Sequence, residues 1–321
     1  MNRSSLLYRE LTSEELEAVL ASALPGERIL EYGLLSGGLF NTTYRVKTEA
    51  HDTVLRMGPV NRELLLPFEH GLMGAEACVD GLCHGAGIPA SRVLCCDTSK
   101  SVLDRDFMVV EYIESIPLSS DRVPKDAVPE LHRECGMLAK KLHGITGETF
   151  GRVSQVLSGN GKATWAKAVE FEFQCLLETG LDRGVFSPEL AKRTAEAVEK
   201  TAPILNRVKT PGLAHADLWA GNVLVGQDGD GWHVRAVIDG DRAFWGDTDF
   251  DLVTPWMITP DFLAGYGERK CGFTPEEQKQ KNSLMRALLA LTDAYVWKIE
   301  YAEPEEYEKN LAHGERLIRE L

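Results

Sequence analysis

The sequence predicts an α+β fold with two lobes, a small N-terminal lobe built on an antiparallel sheet and a larger C-terminal lobe that is mostly helical. Short runs rich in β-branched residues, separated by Gly, Ser and Asn turns, crowd into the N-terminal part of the chain. Long stretches with apolar residues at helical spacing dominate the rest. An apolar strand ends near residue 113 and a linker-like segment follows, so we expect the lobes to be residues 1–113 and 114–321.

The small lobe should begin with a short helix. Thr12 and Glu15 form a capping box before an apolar periodic run, and Pro25-Gly26 ends that run. Turn formers then separate short β-rich segments from one another. These features predict strands at residues 29–35, 42–46, 53–57 and 107–113, with a helix around 72–79.

The larger lobe should consist of amphipathic helices. Apolar residues recur on one face at 131–142, 164–179 and 187–208. A second capping box, Thr274 to Glu277, opens a long helix with Pro275 at its first turn. The acidic segment 300–308 after this helix is expected to be a solvated face.

A β-hairpin interrupts the helical lobe and carries its most distinctive polar residues. Residues 226–231 are dense in turn formers, and both flanks are short and rich in β-branched residues. Because a hairpin brings its ends together, Asn222 and Asp239 should lie side by side, with Asp217 on the loop that leads in. Amide and carboxylate oxygens suit Mg²⁺, and a loop carboxylate can orient a hydroxyl and accept its proton. The sequence therefore predicts Mg²⁺-assisted phosphoryl transfer, with Asp217 catalytic and Asn222 and Asp239 as metal ligands.

The order of these residues matches the protein-kinase catalytic loop, where an Asp, an Asn five residues on and a metal-binding Asp follow one another. The loop lacks the Arg between His and Asp, however, and Asp-Gly-Asp at 239–241 replaces Asp-Phe-Gly. With His-Ala-Asp-Leu-Trp-Ala-Gly-Asn at 215–222 and Gly-Asp-x-x-x-Asp at 246–251, the stretch resembles the aminoglycoside phosphotransferase/choline kinase superfamily. The resemblance implies a protein-kinase-like fold, ATP or GTP as co-substrate and a small molecule as acceptor.

Residues around the loop receive supporting roles. His215 should bond nearby backbone and hold Asp217 in place. Asp247 and Asp251 match the superfamily's Gly-Asp-x-x-x-Asp segment, which we interpret mainly as structural support of the loop. Asp241 ranks below Asp239 as a metal ligand, because only a tight turn would bring it to the ion.

A Gly-rich turn between the first two strands is a candidate for the nucleotide phosphates. It contains Ser36, Gly37, Gly38 and Asn41. Glycine lets backbone N–H groups approach phosphate oxygens closely. An ordinary hairpin turn explains the same residues, and the segment has neither the Gly-x-Gly-x-x-Gly pattern nor a Walker A Lys.

Four further residues are expected at the nucleotide. Arg56 lies on the strand where protein kinases have a phosphate-binding Lys, and Glu76 on the following helix is its natural partner. A solvated surface Glu is the alternative for Glu76. In the kinase-like fold, the exit from the strand at 107–113 is the hinge that bonds adenine, which adds Glu111 and Ile113.

Composition and charge narrow the class of partner. The chain has 321 residues, 44% hydrophobic and 26% charged, as in ordinary soluble globular proteins. A net charge of −14 argues against nucleic acid or an anionic membrane and is compatible with a cationic substrate, although solubility explains it equally well. No apolar run approaches the roughly 20 residues of a membrane span. Seven irregularly spaced cysteines predict reduced thiols and a cytoplasmic protein, which we expect to be a monomer or homodimer.

The expected substrate is a small amine-bearing molecule of the aminoglycoside or amino alcohol class, its amines contacted by acids of later helices such as Asp261, Glu268 and Glu300. Fructosamine-kinase-like proteins share the Asp-Leu-Trp-x-Gly-Asn segment, so an amino-sugar substrate remains an alternative. A catalytically dead binding module is disfavoured because Asp217, Asn222 and Asp239 are all present. A protein kinase is disfavoured because Ala-Pro-Glu and Asp-Phe-Gly are missing.

Overall fold

A five-stranded antiparallel sheet forms the N-terminal part of a computed structural model that describes residues 5–35, 38–253, 257–269 and 272–321. The strand order is β1-β2-β3-β5-β4, and side chains of β2 and β3 alternate between buried and partly exposed, as a sheet with one covered face requires. The bounds are β1 Ile29–Leu35, β2 Thr42–Thr48, β3 Asp52–Met57, β4 Val93–Asp97 and β5 Phe107–Glu111.

Two helices pack near this sheet. Helix α1, Ser13–Ala23, begins at the predicted capping box, with the Glu15 backbone N–H donating to Thr12 Oγ1 at 3.2 Å and the Thr12 N–H donating to the Glu15 carboxylate at 3.0 Å. Its buried leucines join the apolar cluster that covers one face of the sheet. Helix α2, Leu72–Gly85, lies between β3 and β4 in the chain and also contacts the helical turn at Gly240–Arg242. It therefore connects the sheet with the predicted metal-binding segment.

The chain leaves the sheet after β5 and enters the second half of the molecule through a short strand, β6, Ile116–Pro117. This strand pairs with Val223–Asp228 of the predicted hairpin and not with the five-stranded sheet. On this basis we propose a lobe boundary between residues 113 and 114.

Helices make up most of the remaining chain. Their bounds are α3 Val128–His143, α4 Val153–Leu157, α5 Trp165–Asp182, α6 Pro188–Leu205, α7 Pro260–Tyr266, α8 Pro275–Ile299 and α9 Pro304–Arg319. Short strands lie between them: β7 Gly151–Arg152, β8 Gly212–Ala214, β9 Val223–Asp228, β10 Gly231–Val237 and β11 Phe244–Gly246.

Aromatic residues in the core of the helical half pack against the segment that follows the predicted hairpin. Trp165 of α5 contacts Phe244 of β11 edge to face at 5.7 Å between ring centroids, and Phe244 contacts Phe250 at 5.2 Å. Such aromatic pairs contribute roughly 0.5–1.5 kcal/mol beyond their burial. Phe250 lies next to Asp251, so this packing determines where that acid is placed.

The predicted α+β class is confirmed, and one local expectation is wrong. The acidic segment after α8 is not a uniformly solvated face, because Glu300 is completely buried and α9 packs along α8. Among the described residues, no helix is both long and apolar enough to span a bilayer.

Candidate active site

The predicted hairpin is present and brings Asn222 and Asp239 to adjacent positions. Strands β9 and β10 pair in antiparallel fashion, with Val237 opposite Val223. The backbone N–H of Ile238 donates to the Asn222 carbonyl at 2.9 Å. Asn222 directly precedes β9, and Asp239 comes two residues after the end of β10. The turn at 226–231 joins these two paired strands, so it accounts for the proximity of Asn222 and Asp239.

Asp217 and Asn222 are joined directly. The Asn222 side-chain amide donates to the Asp217 backbone carbonyl and to Asp217 Oδ2, both at 2.9 Å. Both acceptors are oxygens, so the NH₂ group must face Asp217. The amide oxygen is left as the group that can bind a cation.

Asp251 holds the start of the loop. Its two carboxylate oxygens accept the backbone N–H groups of His215 and Ala216, each at 2.7 Å. His143, at the end of α3, lies 2.9 Å from the same carboxylate through Nε2. Burial acts to raise the pKa of Asp251, but these hydrogen bonds and the neighbouring histidines outweigh it and lower the pKa. The carboxylate is therefore held ionised where the loop begins.

His215 bonds backbone on both of its ring nitrogens. Nδ1 accepts the Asp217 backbone N–H at 3.3 Å, and Nε2 lies 3.0 Å from the Ile238 carbonyl. The first contact requires an unprotonated Nδ1 and the second a protonated Nε2, so the ring is the neutral tautomer. Burial lowers the pKa of His215, in agreement with a neutral ring. The side chain thus connects the Asp217 loop with the strand that leads to Asp239.

Asp247 lies apart from the loop. Its carboxylate binds the fully buried Lys281 of α8 at 2.5 Å and accepts the Asp249 backbone N–H at 3.1 Å. Lys281 also binds Asp249 at 2.7 Å. Asp247 therefore stabilises the turn that carries Asp251, and its support of the loop is indirect.

Asp239 connects the hairpin with the sheet through Arg56. The residue has a left-handed backbone with φ of 59°, a conformation that Asp tolerates better than most residues. Arg56 of β3 donates to Asp239 Oδ1 at 2.7 Å and is also paired with Glu76 of α2. Burial acts to lower the pKa of Arg56, but the two carboxylates outweigh it and raise the pKa. Burial of Glu76, which is 1% exposed, raises its pKa, and Arg56 opposes that rise. The solvated alternative for Glu76 is wrong.

The donor set around Asp239 fits a magnesium ion. Among the described residues, no group of three or more His, Cys, Asp and Glu side chains forms a metal site. The Asn222 amide oxygen and the second Asp239 oxygen nevertheless make a pair of hard donors. Mg²⁺ typically takes one or two protein oxygens of this kind and completes its shell with water and phosphate. Asp241 is two residues on, in the helical turn at Gly240–Arg242; burial raises its pKa to about 6.

Asp217 lines a cavity with about 60 Å³ of space for water-sized molecules. Burial raises the pKa of Asp217 to about 7, with Arg242 acting against the rise. A carboxylate whose pKa is near neutral can accept a proton during a reaction at neutral pH. The other polar side chains of the cavity include Arg152, Arg242, Thr292 and Asp293.

Apart from Arg56 and Glu76, the residues predicted to bind the nucleotide lie at the Gly-rich turn and at the point where the chain leaves the sheet. Ser36 and Gly37 fall outside the described residues. An added Cβ on Gly38 would meet the Asn41 carbonyl at 2.5 Å, so the turn requires glycine there. Asn41 Oδ1 is buried and has no hydrogen-bond partner among the described residues.

The two hinge residues lie where the chain leaves the sheet. Glu111 ends β5 and is paired with Arg92 at 3.0 Å. The Ile113 carbonyl accepts a hydrogen bond from Ser115 Oγ at 2.9 Å. Both precede β6, the strand that joins the hairpin.

The acids expected to contact substrate amines do not line the cavity beside Asp217. Asp261 is in α7, the Glu268 carbonyl accepts from Lys140, and neither lines the cavity. Glu300 is buried beside Glu69. Asp293 of α8 lies in the cavity instead. Its sequence signal was an acid within the mostly apolar second half of that helix.

Comparisons with known proteins place this geometry in context. The model of the phosphotransferase enzyme family (APH) matches residues 31–279. The chain is 26% identical over 250 residues to the "Probable ketoamine kinase" of Staphylococcus aureus (strain NCTC 8325 / PS 47), which covers 76% of this chain and 81% of that protein.

Two solved structures share the fold along almost the entire chain. One, from Thermobifida fusca YX-ER1 and described as a "putative fructosamine-3-kinase", has a TM-score of 0.69 and 18% identity, and covers 96% of this chain and 99% of its own. The other is a thermostable mutant of aminoglycoside phosphotransferase APH(4)-Ia in a ternary complex with AMP-PNP and hygromycin B. Its TM-score is 0.65 with 16% identity, and it covers 95% of this chain and 98% of its own. The predicted kinase-like fold is confirmed.

Proposed function

Because the chain belongs to the phosphotransferase enzyme family and is a small-molecule kinase, we propose that it transfers the γ-phosphoryl group of Mg²⁺-bound ATP to a hydroxyl of a sugar-like amine. The observation that carries this proposal is the unit formed by Asp217, Asn222 and Asp239. Asn222 donates two hydrogen bonds to Asp217 and lies beside Asp239 across the hairpin. A hydroxyl-orienting carboxylate and a pair of metal-binding oxygens are thereby held together.

In the proposed reaction, Asp217 accepts a hydrogen bond from the acceptor hydroxyl. The hydroxyl oxygen forms a bond to the γ-phosphorus as the bond between that phosphorus and the β–γ bridging oxygen breaks. The hydroxyl proton passes to the Asp217 carboxylate and ADP leaves. Phosphoryl transfer needs little covalent chemistry from the protein, so positioning and charge neutralisation account for most of the acceleration.

The residues around Asp217 keep the phosphates in place. Asn222 and Asp239 would hold Mg²⁺, which when bound neutralises charge on the β- and γ-phosphates. Arg56 offers its guanidinium to the phosphates from the sheet side, with Glu76 orienting it. The Gly38 turn allows backbone N–H groups to approach the phosphates, and the unpartnered Asn41 oxygen lies in the same turn.

The proposed donor is ATP and the proposed acceptor is a ketoamine. A structural relative binds the ATP analogue AMP-PNP, which supports ATP over GTP. The sequence relative is a ketoamine kinase by name, and this chain has the Asp-Leu-Trp-x-Gly-Asn segment at 217–222. An aminoglycoside is the second candidate, supported by the relative that binds hygromycin B.

The cysteines bear on the cellular compartment of the protein. The six cysteines in the described part of the chain are all free thiols, which supports a reducing compartment such as the cytoplasm.

The test is a screen for substrate-dependent ADP release. Purified protein is incubated with Mg²⁺ and ATP and with ketoamines, aminoglycosides or amino alcohols, and mass spectrometry follows the addition of one phosphoryl group to the acceptor. We expect turnover with ketoamines, none when the Mg²⁺ is chelated, and turnover at least about a hundredfold slower in Asp217→Asn. Absence of product with all three acceptor classes would favour the binding-module alternative.

A further inference from the structure

Glu300 caps the C-terminal end of α8 and has no role in the proposed reaction. Its side chain is fully buried, and neither of its oxygens meets a hydrogen-bond donor of the described residues. The group within hydrogen-bond reach is another acid, Glu69, which is 3% exposed and lies in the helical turn Pro67–Gly71 between β3 and α2. Two carboxylates are both acceptors only, so this contact requires a proton on one of them.

The hydrogen bonds of Glu69 identify the acid that carries this proton. Glu69 Oε2 accepts the Leu66 backbone N–H at 2.9 Å, and Oε1 accepts from Arg242 Nη2 at 3.1 Å. These two donors stabilise Glu69 as the carboxylate. Glu300 has no such donors, and the partial negative charge at the C-terminal end of a helix also disfavours its ionisation. Glu300 is therefore the protonated partner, and its O–H donates to Glu69.

The charges around the two acids agree with a single proton. Arg242 is the cation that acts on Glu300, and Tyr295 and Tyr301 are neighbouring titratable groups that Glu300 influences. One guanidinium can balance one carboxylate of the pair, and a second buried carboxylate would be left uncompensated. Burial, followed by the charge of Glu69, raises the pKa of Glu300 well above its ordinary value.

Glu69 connects this acid pair with the cavity beside Asp217 through Arg242. Arg242 lines that cavity, and the hydrogen bond to Glu69 is the one that its guanidinium makes among the described residues. The side chain is 24% exposed, so further N–H donors are available on the cavity side. The orientation of Arg242 therefore depends on Glu69, and the position of Glu69 depends on its contact with Glu300.

We propose that Glu300 is a positioning residue that acts as a neutral carboxylic acid: its O–H holds Glu69, and Glu69 holds the Arg242 guanidinium at the acceptor cavity. This inference rests on the proposed function, because it takes the cavity beside Asp217 to be the acceptor site. Ionisation of Glu300 would bring two carboxylates into contact and draw Arg242 toward them, away from the cavity. The acceptor would then be bound less tightly.

Two variants of Glu300 test whether the site requires a neutral hydrogen-bond donor. Steady-state kinetics are measured at neutral pH with 1-amino-1-deoxyfructose and Mg²⁺-ATP. Glu300→Gln is neutral and offers an N–H to Glu69, so its KM for the amine should stay near the parental value. Glu300→Leu fills the space without a donor, and its KM should rise at least about tenfold, as for loss of a hydrogen bond to a charged group. A parental KM in Glu300→Leu, or an equal rise in both variants, would overturn the proposal.

The pH dependence of the KM distinguishes positioning from a general loss of structure. In the parent, Glu300 is neutral below its raised pKa and ionises above it, so the KM for the amine should increase on the alkaline side. Glu300→Gln has no proton to release, and its KM should lack this increase. Glu305→Gln, an exposed acid in the first turn of α9, is the matched control and should follow the parent.

Ionisation of the substrate amine affects all of these proteins equally, and thermal midpoints at each pH confirm that they are folded. Coincident profiles of the parent and Glu300→Gln would contradict the inference.

Calorimetric titration of 1-amino-1-deoxyfructose into the nucleotide-free protein separates this inference from the proposed function. Binding that weakens in Glu300→Leu and not in Glu300→Gln, without turnover in the parent, supports the inference and rejects the kinase reaction. Turnover in the parent with a parental KM in Glu300→Leu rejects the inference and leaves the kinase reaction in place. A parent that neither binds nor phosphorylates the amine rejects both.

Discussion

Asp217 depends on Asn222 for its orientation, because both N–H groups of the Asn222 amide are directed at it. The carboxylate keeps its second oxygen for an acceptor hydroxyl, and the cavity in front of it has room for one. The negative charge is the property that distinguishes a proton acceptor from a loop-stabilising residue. An Asn at this position would keep the hydrogen bond and lose the charge.

Asp217→Asn should therefore turn over about 10²–10⁴-fold more slowly than the parent, the range typical of general-base and positioning effects. Nucleotide affinity and thermal midpoint should stay near the parental values, because the Asn oxygen can still accept from Asn222. The measurement is kcat, nucleotide Kd and thermal midpoint on one preparation. Asp230→Asn, at the exposed hairpin turn, controls for loss of charge alone. A variant with near-parental kcat would contradict the mechanism.

Arg56 should contribute to stability as well as to nucleotide binding, because it is only 13% exposed and joins two carboxylates. Arg56→Met leaves Glu76 buried without its partner, and losses of about 3–5 kcal/mol are usual for such a change. Urea unfolding should show a loss of this size, and the KM for ATP should rise. Adding Glu76→Gln should recover part of the stability, since it removes the uncompensated acid. If the two losses simply add, the residues are not coupled.

At the scale of elements, helix α2 has a second buried acid one turn beyond Glu76. Asp80 is 2% exposed, and its Oδ2 has no hydrogen-bond partner among the described residues. It lines a mainly apolar cavity behind the catalytic loop, together with Cys83, Cys135 and His215. Burial raises the pKa of Asp80 from an ordinary 3.8 to about 7.

This raised pKa predicts how the stability of the α2 region depends on pH. Between pH 4 and 7 the folded protein retains a proton on Asp80 that the unfolded chain has released. Stability is therefore lost as pH rises through this window, by up to about 4 kcal/mol from this group above pH 7. Asp80→Asn removes the titration, so its stability advantage over the parent should grow from pH 4 to pH 7 and then level off.

Urea unfolding at several pH values, without nucleotide, checks this expectation. Asp121→Asn, an exposed acid on the loop before α3, is the control and should show no such trend. A constant difference between Asp80→Asn and the parent at all pH values would mean that Asp80 has the same pKa in both states.

The elements differ in how far sequence could predict them. Residues 215–239 form a loop and a hairpin whose geometry depends on neighbours within the segment, so the proximity of Asn222 and Asp239 follows from turn chemistry. Asp293 is about seventy residues from the loop in the chain. Which face of α8 meets the cavity depends on packing against α5, α6 and α9, and helical periodicity alone does not contain that information. Glu300 was misplaced for the same reason, since its burial depends on contacts with Glu69 and Leu6.

At the scale of the whole molecule, the candidate active site lies between the five-stranded sheet and the helical half. Arg56 comes from β3, Glu76 from α2 and Asp239 from the hairpin, so one ion-pair network spans all three. The pairing of β6 with β9 provides a second connection close to the hinge. A ligand bound between the halves should therefore stabilise the entire molecule and not one lobe alone.

Nucleotide binding with Mg²⁺ should raise the free energy of unfolding by about 2.7 kcal/mol at a ligand concentration one hundred times Kd. AMP-PNP, which is not hydrolysed, is added to the protein with Mg²⁺ or with EDTA, and urea unfolding is followed by fluorescence. The parent should show a larger increment with Mg²⁺. Asp239→Asn should keep the increment seen in EDTA and lose the extra part, because the ion would have one protein carboxylate fewer. The comparison is made within each variant, so the loss of the Asp239–Arg56 ion pair does not affect it. Asp241→Asn decides between the two acids of the turn: if it loses the Mg²⁺-dependent part and Asp239→Asn retains it, Asp241 is the ligand and the assignment of Asp239 is wrong.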